Sequence, residues 1–525
     1  MAHRQGNAYL APMSESAFAP SFPVDAAAVN ARGLSLLDAG DFAAALECFS
    51  RAAAARPSLA DAHHNQGRAL WALGRLVEAQ EGFARALELA PQRLDSFDGL
   101  AQTALHLCDW ARVEKLRPEL EQRIAAGEPF PPWLLLGYSG NAQLQLMAAR
   151  NNIAARIPPF PPLWRGERYG HRRIRIGYIS RDFRKHVMGS QITELIERHD
   201  RSRFEIIGLA TCGDDGSAVR ARLTQAFDQF HDLSAMDHLA RAALVRRLEI
   251  DVLVDLAGHT QGENFAVLAQ RPAPALLSWL GYPGTTGADF LDGVIVDKVV
   301  APDAKEFSER LLHLPCSFFV SDTTRAIAPM PARAQAGLPE RGFVFSSFNN
   351  NWKITAPIFA IWMRLLTQVD GSVLWLRQSG GGADANLRKA AVGHGVDPAR
   401  ILFAAHVPDE EHLARHACAD LFLDTLPYNA HSTACDALWT GLPVLTCRGG
   451  AFAGRVAASL LTALGLPELI TESAQDYELL ALALARDGAR LEAVRAKLAV
   501  NRKTMPLFDT AGFARALESL YAALL

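Results

Sequence analysis

The stretch LFLDTLPYNAHSTACDALWTGLPVLTC, residues 421–447, reads as an apolar strand, a polar loop, a helix start at His431, Ser432 and Thr433, and a second apolar strand. Apolar runs without alternation belong to strands buried on both faces, and a helix between two of them makes the strands parallel. A helix start directly after a strand is a ready anion site, because unpaired amides and the positive end of the helix dipole converge there. The same residues also fit a plain cap by Ser432 or Thr433. Asp436, one turn further on, adds an acceptor for a ligand hydroxyl.

Working outward, FVFSSFN (343–349), SVLWLR (372–377) and ILFAA (401–405) precede this unit with the same strand character. An earlier set repeats it: IRIGYIS (174–180), EIIGLA (205–210), DVLVDLA (251–257), ALLSWLGYP (275–283) and GVIVD (293–297). Two successive doubly wound α/β halves follow, and in such sheets ligands bind beyond the carboxyl ends of the strands.

The residues after these runs are therefore the informative ones. Strand 343–349 leads into Asn350, Asn351, Trp352 and Lys353, where a lysine can neutralise a phosphate, although on that stretch alone a surface lysine fits better. His186 ends DFRKH after the first strand and His259 lies in LAGHT after 251–257; either can exchange a proton near neutrality, although a structural role fits too. LGYPGTTG (280–287) has glycines for close backbone approach but no GKS or GKT ending, and no G-x-G-x-x-G follows the first strand. No His, Asp or Glu grouping reads as a metal site, so no metal is expected.

Upstream the period changes. Gly33–Pro57 (GLSLLDAGDFAAALECFSRAAAARP) lies on Gly67–Pro91 (GRALWALGRLVEAQEGFARALELAP) at an offset of 34 residues without a gap. That period, with a Gly-centred turn and a closing Pro, is the tetratricopeptide pattern. A third shift sets Asp109-Trp110 under Asp41-Phe42, extending a degenerate unit to about Ile124. Between modules, one helical stretch and PPFPPLWRGERY (158–169) read as a connection, since the prolines favour extended backbone. The expected division is a flexible segment 1–25, repeats 26–130, a helical and proline-rich linker 131–172, and lobes 173–335 and 336–525.

Lys and Arg number 53 against 56 Asp and Glu, a net charge of −3, so no nucleic-acid footprint is visible. No apolar run reaches the roughly 20 residues that cross a bilayer, and no signal-like start is present, so no membrane contact and a cytoplasmic location are expected. The seven cysteines are scattered without C-x-x-C pairs and read as reduced thiols.

Several blocks together, RIRIGYISRDFRKH, DLAGHTQGENFAVLAQRPAPALLSWLGYPGTTGADF, FNNNWKI, PDEEHLARHACADLFLDTLPYNAHSTACDALWTGLPV and GRVAASLL, resemble the O-GlcNAc transferase family, including its bacterial and SPINDLY-type members. They run collinearly over about 170–525. The resemblance implies a GT-B fold of two Rossmann-like lobes behind an all-α repeat module. It implies an inverting, metal-independent transfer of GlcNAc from UDP-GlcNAc to Ser or Thr hydroxyls of a protein acceptor along the repeats and cleft. Lys353 matches the lysine that stabilises the departing diphosphate, with Asn350 nearby. His412 and Arg415 match positions facing the uridine, and His431, Ser432, Thr433 and Asp436 match the loop and helix start that hold diphosphate and hydroxyls. His186 matches an active-site histidine, and Thr260, Leu280 and Gly281 match residues around the transferred sugar; His186 and His259 are both candidate bases. Asp409 stands where animal members carry a basic residue. Donor alternatives are GDP-fucose for O-fucosyl transfer and UDP-glucose for N-glucosyl transfer; a different class is a non-catalytic repeat scaffold. Oligomerisation is compatible with the sequence.

Overall fold

A computed structural model describes residues 25–525; the segment 1–25, expected to be flexible, lies outside them except for Asp25. The chain divides into two compact units at Gly99 and Leu100.

The first unit contains the helices Ala26–Asp38, Phe42–Ala55, Ala60–Ala72 and Leu76–Leu89. Its 34-residue repeat has a packing cause. A Cβ on Gly33 would lie 2.5 Å from the Phe49 ring, and one on Gly67 would lie 2.8 Å from Phe83, so each unit needs a glycine under its phenylalanine. The turns repeat too: Gly40 and Gly74 have φ of +82° and +73°, and Cys108, 34 residues later, takes φ +51° in the same register. Asp41 and Asp109 each cap the helix that follows.

The second unit opens with the remainder of helix Leu94–His106, then Trp110–Ala125, Pro132–Tyr138 and Ala142–Arg156. The packing boundary thus falls inside the stretch read as one repeat module, and the connecting stretch holds two helices where one was expected. The proline-rich segment is extended and bonded to the first lobe, with Leu163 N donating to Gln270 O at 2.8 Å and Trp164 N to Arg271 O at 2.9 Å.

Strands β1 (Ile174–Ser180), β2 (Phe204–Ala210), β3 (Gln229–Asp232), β4 (Val252–Asp255), β5 (Ala275–Ser278), β6 (Gly293–Val296) and β7 (Arg310–His313) form a parallel sheet ordered 3-2-1-4-5-6-7. Strands β8 (Val344–Ser347), β9 (Val373–Arg377), β10 (Ile401–Ala404), β11 (Leu421–Leu423), β12 (Val444–Cys447) and β13 (Ile470–Thr471) form a second, ordered 10-9-8-11-12-13. Both orders reverse at a central strand pair, β1–β4 and β8–β11, which is the Rossmann switch point. Two such lobes in one chain make the GT-B arrangement. The last helix, Thr510–Ala522, returns to the first lobe: Tyr521 and Tyr178 hydroxyls lie 3.0 Å apart, and Glu518 Oε1 accepts from His199 Nδ1 at 3.0 Å.

Candidate active site

The carboxyl ends of the central strands meet at a cleft of about 800 Å³, lined by His186, His259, Thr260, Leu280, Gly281, Asn350, Lys353, His431 and Ser432. An adjoining pocket of about 380 Å³ shares His186 and Ser432 and adds His412, Thr433 and Asp436. Arg415 lines neither and stands behind His412. The structure therefore gathers the sequence candidates into one continuous site.

Two buried carboxylates at matching places shape its loops. At the end of β4, Asp255 accepts from Gly258 N at 2.7 Å and from Asn264 Nδ2 at 2.8 Å, which folds the loop carrying His259 and Thr260. Just past β11, Asp424 accepts from Thr425 N at 2.7 Å, Ala430 N at 2.5 Å and Thr446 Oγ1 at 2.6 Å, folding the loop that carries Tyr428 and His431. Burial pushes both carboxyls up to about 6. The neighbouring turn is tight as well: a Cβ on Gly281 would lie 2.1 Å from Leu256 O, and Leu280 takes φ +73°.

Lys353 ends the 3-10 turn Asn351–Lys353 and is only 8% exposed. Its ammonium donates to Asn429 O at 2.8 Å and lies 3.7 Å from the centre of the Tyr428 ring. Burial pulls it down to about 7, against the opposing pull of Asp424. The turn itself is held by the helical segment before the lobes: Asn351 Nδ2 donates to His106 O, Trp110 Nε1 donates to Ile354 O at 2.9 Å, and the Trp133 ring packs 4.7 Å from Trp352.

Helix Ser432–Thr440 presents its first turn to the cleft. Its cap is His431, which makes no side-chain cap bond, so neither Ser432 nor Thr433 serves as the plain cap considered from sequence. Thr433 Oγ1 donates instead to Asn349 Oδ1 at 2.8 Å, and His431 Nε2 donates to Ala453 O at 3.1 Å. Asp436 Oδ1 accepts from Arg325 Nη2 at 2.6 Å, and burial raises the Asp436 carboxyl. Asn350 is exposed and its Oδ1 accepts from Arg377.

At the far end, Arg415 Nη2 donates to His412 Nδ1 at 2.5 Å and Nη1 to Ala405 O at 2.6 Å, while its guanidinium lies 4.8 Å from the Phe348 ring centre. Burial, then the Arg415 charge, pulls His412 down to about 3. It is a neutral ring fixed beside an aromatic, suited to a nucleobase edge.

On the opposite wall, His186 Nδ1 accepts from Met188 N at 3.2 Å, which leaves Nε2–H as a donor in the neutral ring. His259 Nε2 donates to Thr286 O at 2.6 Å, leaving Nδ1 as an acceptor, and burial pulls this ring down to about 4. Thr260 Oγ1 is turned to Ala257 O at 2.9 Å.

Sequence reasoning missed Arg325, Tyr428 and Trp133. Tyr428 stands inside the motif that was read, so its aromatic type beside a strand-end loop was the available signal; Arg325 and Trp133 lie far from any strand end and carry none. Among the described residues no group of three or more His, Cys, Asp or Glu side chains could hold a metal ion, and no helix is long and apolar enough to cross a membrane.

The family model for glycosyl transferase family 41 matches residues 163–331 and 324–517, and a tetratricopeptide repeat model matches 60–93. The chain is 33% identical over 454 residues to the probable UDP-N-acetylglucosamine–peptide N-acetylglucosaminyltransferase SEC of Arabidopsis thaliana, covering 80% of this chain and 46% of that one. It is 29% identical over 546 aligned positions to the UDP-N-acetylglucosamine–peptide N-acetylglucosaminyltransferase of Caenorhabditis elegans, covering 79% and 47%. The chain thus spans about half the length of these curated relatives. Among solved structures, a lysine-to-methionine variant of the O-GlcNAc transferase of Thermobaculum terrenum superposes with a TM-score of 0.75 at 26% identity, covering 95% of this chain and 97% of that one.

Proposed function

As this chain belongs to glycosyltransferase family 41, we propose that it transfers N-acetylglucosamine from UDP-N-acetylglucosamine to serine or threonine hydroxyls of protein acceptors, with inversion and without a metal ion. The observation that carries the reading is the buried Lys353 beside the uncapped start of helix Ser432–Thr440, both lining one cleft.

The acceptor oxygen attacks the anomeric carbon from the wall of His186 and His259. The bond from that carbon to the β-phosphate oxygen breaks and its electron pair leaves with UDP. Lys353 and the helix amides meet the charge developing on the diphosphate; such preorganised donors contribute most where charge appears only in the transition state. The hydroxyl proton passes to His259 Nδ1, the ring nitrogen left as an acceptor, while His186 Nε2–H donates to the sugar or acceptor. His412, braced from behind by Arg415, holds the base, Asp436 accepts from a ribose hydroxyl, and Asn350 lies at the diphosphate. Thr260, Leu280 and Gly281 bound the transferred sugar, and the repeats present the acceptor peptide.

A second reading, the same chemistry with GDP-fucose, has one observation behind it. Asp409 lines the pocket with His412, and an acceptor-only carboxylate complements the adjacent N–H donors of guanine. Calorimetric titration with UDP, GDP, UDP-N-acetylglucosamine and GDP-fucose, with a chelator present, separates the two. Selective UDP binding supports the first reading, and selective GDP binding replaces it with the second.

A further inference from the structure

The loop 280–287 and the residue preceding β7 build a clamp behind His259. The His259 ring sits between Phe265 and Tyr282, with ring centres 4.8 and 5.2 Å away, which fixes its plane. Its Nε2 lies 2.6 Å from Thr286 O; a carbonyl only accepts, so Nε2 carries the proton. Thr286 is in turn tied to Glu309. Its N–H donates to Oε1 at 2.6 Å, its hydroxyl donates to the same oxygen, and the Thr285 hydroxyl donates to Oε2 at 2.6 Å.

Glu309 is only 4% exposed and, among the described residues, makes no ion pair with a basic side chain. A buried carboxylate satisfied by one amide and two hydroxyls carries a desolvation cost that a neutral residue would avoid. What it does here is fix the backbone of Thr286, whose carbonyl, among the described residues, has only His259 as its side-chain partner.

We propose that Glu309 is a positioning residue for proton transfer: by gripping Thr286 it holds that carbonyl against His259 Nε2 and so keeps Nδ1 deprotonated toward the cleft. The proton's origin rests on the glycosyl-transfer reading; the tautomer does not. When the acceptor O–H breaks, its electron pair forms the new bond to the anomeric carbon and its proton goes to Nδ1. The resulting imidazolium keeps its Nε2–H on Thr286 O and later returns the Nδ1 proton to water. A carbonyl behind the ring, rather than a carboxylate, selects the tautomer without placing a full charge against it.

The test is nitrogen NMR of the full chain labelled with ¹⁵N-histidine, with His259→Asn assigning the signal, alongside kinetics of Glu309→Ala and Glu309→Gln. Wild type is expected to show His259 neutral with the proton on Nε2. Glu309→Ala is expected to show mixed tautomers and a kcat lowered roughly tenfold or more with UDP affinity within about twofold, since loss of alignment acts on the chemical step. Glu309→Gln, which keeps an oxygen for Thr286, is expected to recover the Nε2–H signal and part of kcat. If the alanine variant does not fold, Thr286→Val, which removes the hydroxyl donor, should shift the tautomers in the same direction. A wild-type ring protonated on Nδ1, or an unchanged Nε2–H signal in folded Glu309→Ala, overturns the proposal. An intact Nε2–H signal in a wild-type protein that transfers no sugar leaves the clamp standing and overturns the glycosyl-transfer reading instead.

Discussion

The Lys353 ammonium lies 3.7 Å from the centre of the Tyr428 ring and, among the described residues, forms no ion pair with a carboxylate. A buried cation with an aromatic face and one carbonyl, at Asn429 O, is an incomplete electrostatic arrangement, and a diphosphate completes it. Burial holds the free amine at about 7, and a bound diphosphate raises it again. The sign of the proton linkage follows: below about pH 6 the lysine is already charged and takes up no proton when UDP binds, whereas at about pH 8 it takes up close to one. UDP affinity therefore falls as pH rises through 7. Calorimetry in two buffers of different ionisation enthalpy measures the uptake, and Lys353→Met is expected to abolish it.

Trp133 is part of the apolar enclosure that keeps this lysine dry, with its ring 4.7 Å from Trp352 and 6.1 Å from Tyr428. Trp133→Ala lets water reach the site and lifts the amine toward the ordinary lysine range. UDP affinity in that variant should stay level to about one or two pH units higher than in wild type, since each unit reflects about 1.4 kcal/mol between protonation states. A pH series of UDP dissociation constants reads the shift.

Asp424 closes the loop that positions Tyr428 and His431 through three accepted hydrogen bonds. Asp424→Ala leaves buried donors unpaired at about 1–3 kcal/mol each, so urea unfolding should show a large loss of stability, and UDP binding should weaken with it. Asp424→Asn keeps an accepting oxygen and should lose less of both.

Gly281 has no room for a side chain, with Leu256 O 2.1 Å from where a Cβ would stand. Gly281→Ala is expected to cost about 1–3 kcal/mol through forced backbone movement, and to lower kcat by displacing the wall around the sugar. Thermal unfolding and initial rates check both effects.

The sequence revealed the strands that carry an apolar run, including the edge strand β10 (ILFA), and concealed those that carry none. β4 and β11 are interior strands and read as apolar runs, and interior β1 and β8 remain readable as strands despite Arg175 in IRIGYIS and the two serines of VFSS. β3, QFHD, and β7, RLLH, lie at sheet edges, where no residue of β3 and only one of β7 is fully buried, so neither has an apolar run to find. β13 has two residues and offers no pattern. Site residues were legible when a strand end placed them, as with Lys353, His259 and His431. Arg325 reaches Asp436 from a segment between the lobes, a contact across 111 positions in the chain, and no local pattern encodes such a meeting. Asp255 and Asp424 stand at equivalent places in VLVDLAGH and LFLDTLPYN, but that they brace loops emerges only once their donors are located.

The central claim is that Lys353 drives departure of a uridine diphosphate from N-acetylglucosamine. Its most direct test is intact-mass analysis of protein acceptors incubated with the full chain, a chelator, and either UDP-N-acetylglucosamine or GDP-fucose, in parallel for wild type and Lys353→Ala. The account predicts N-acetylhexosamine added only from the UDP donor, with kcat falling roughly 100-fold or more in Lys353→Ala while UDP still binds; fucose addition, or undiminished turnover without the lysine, would contradict it.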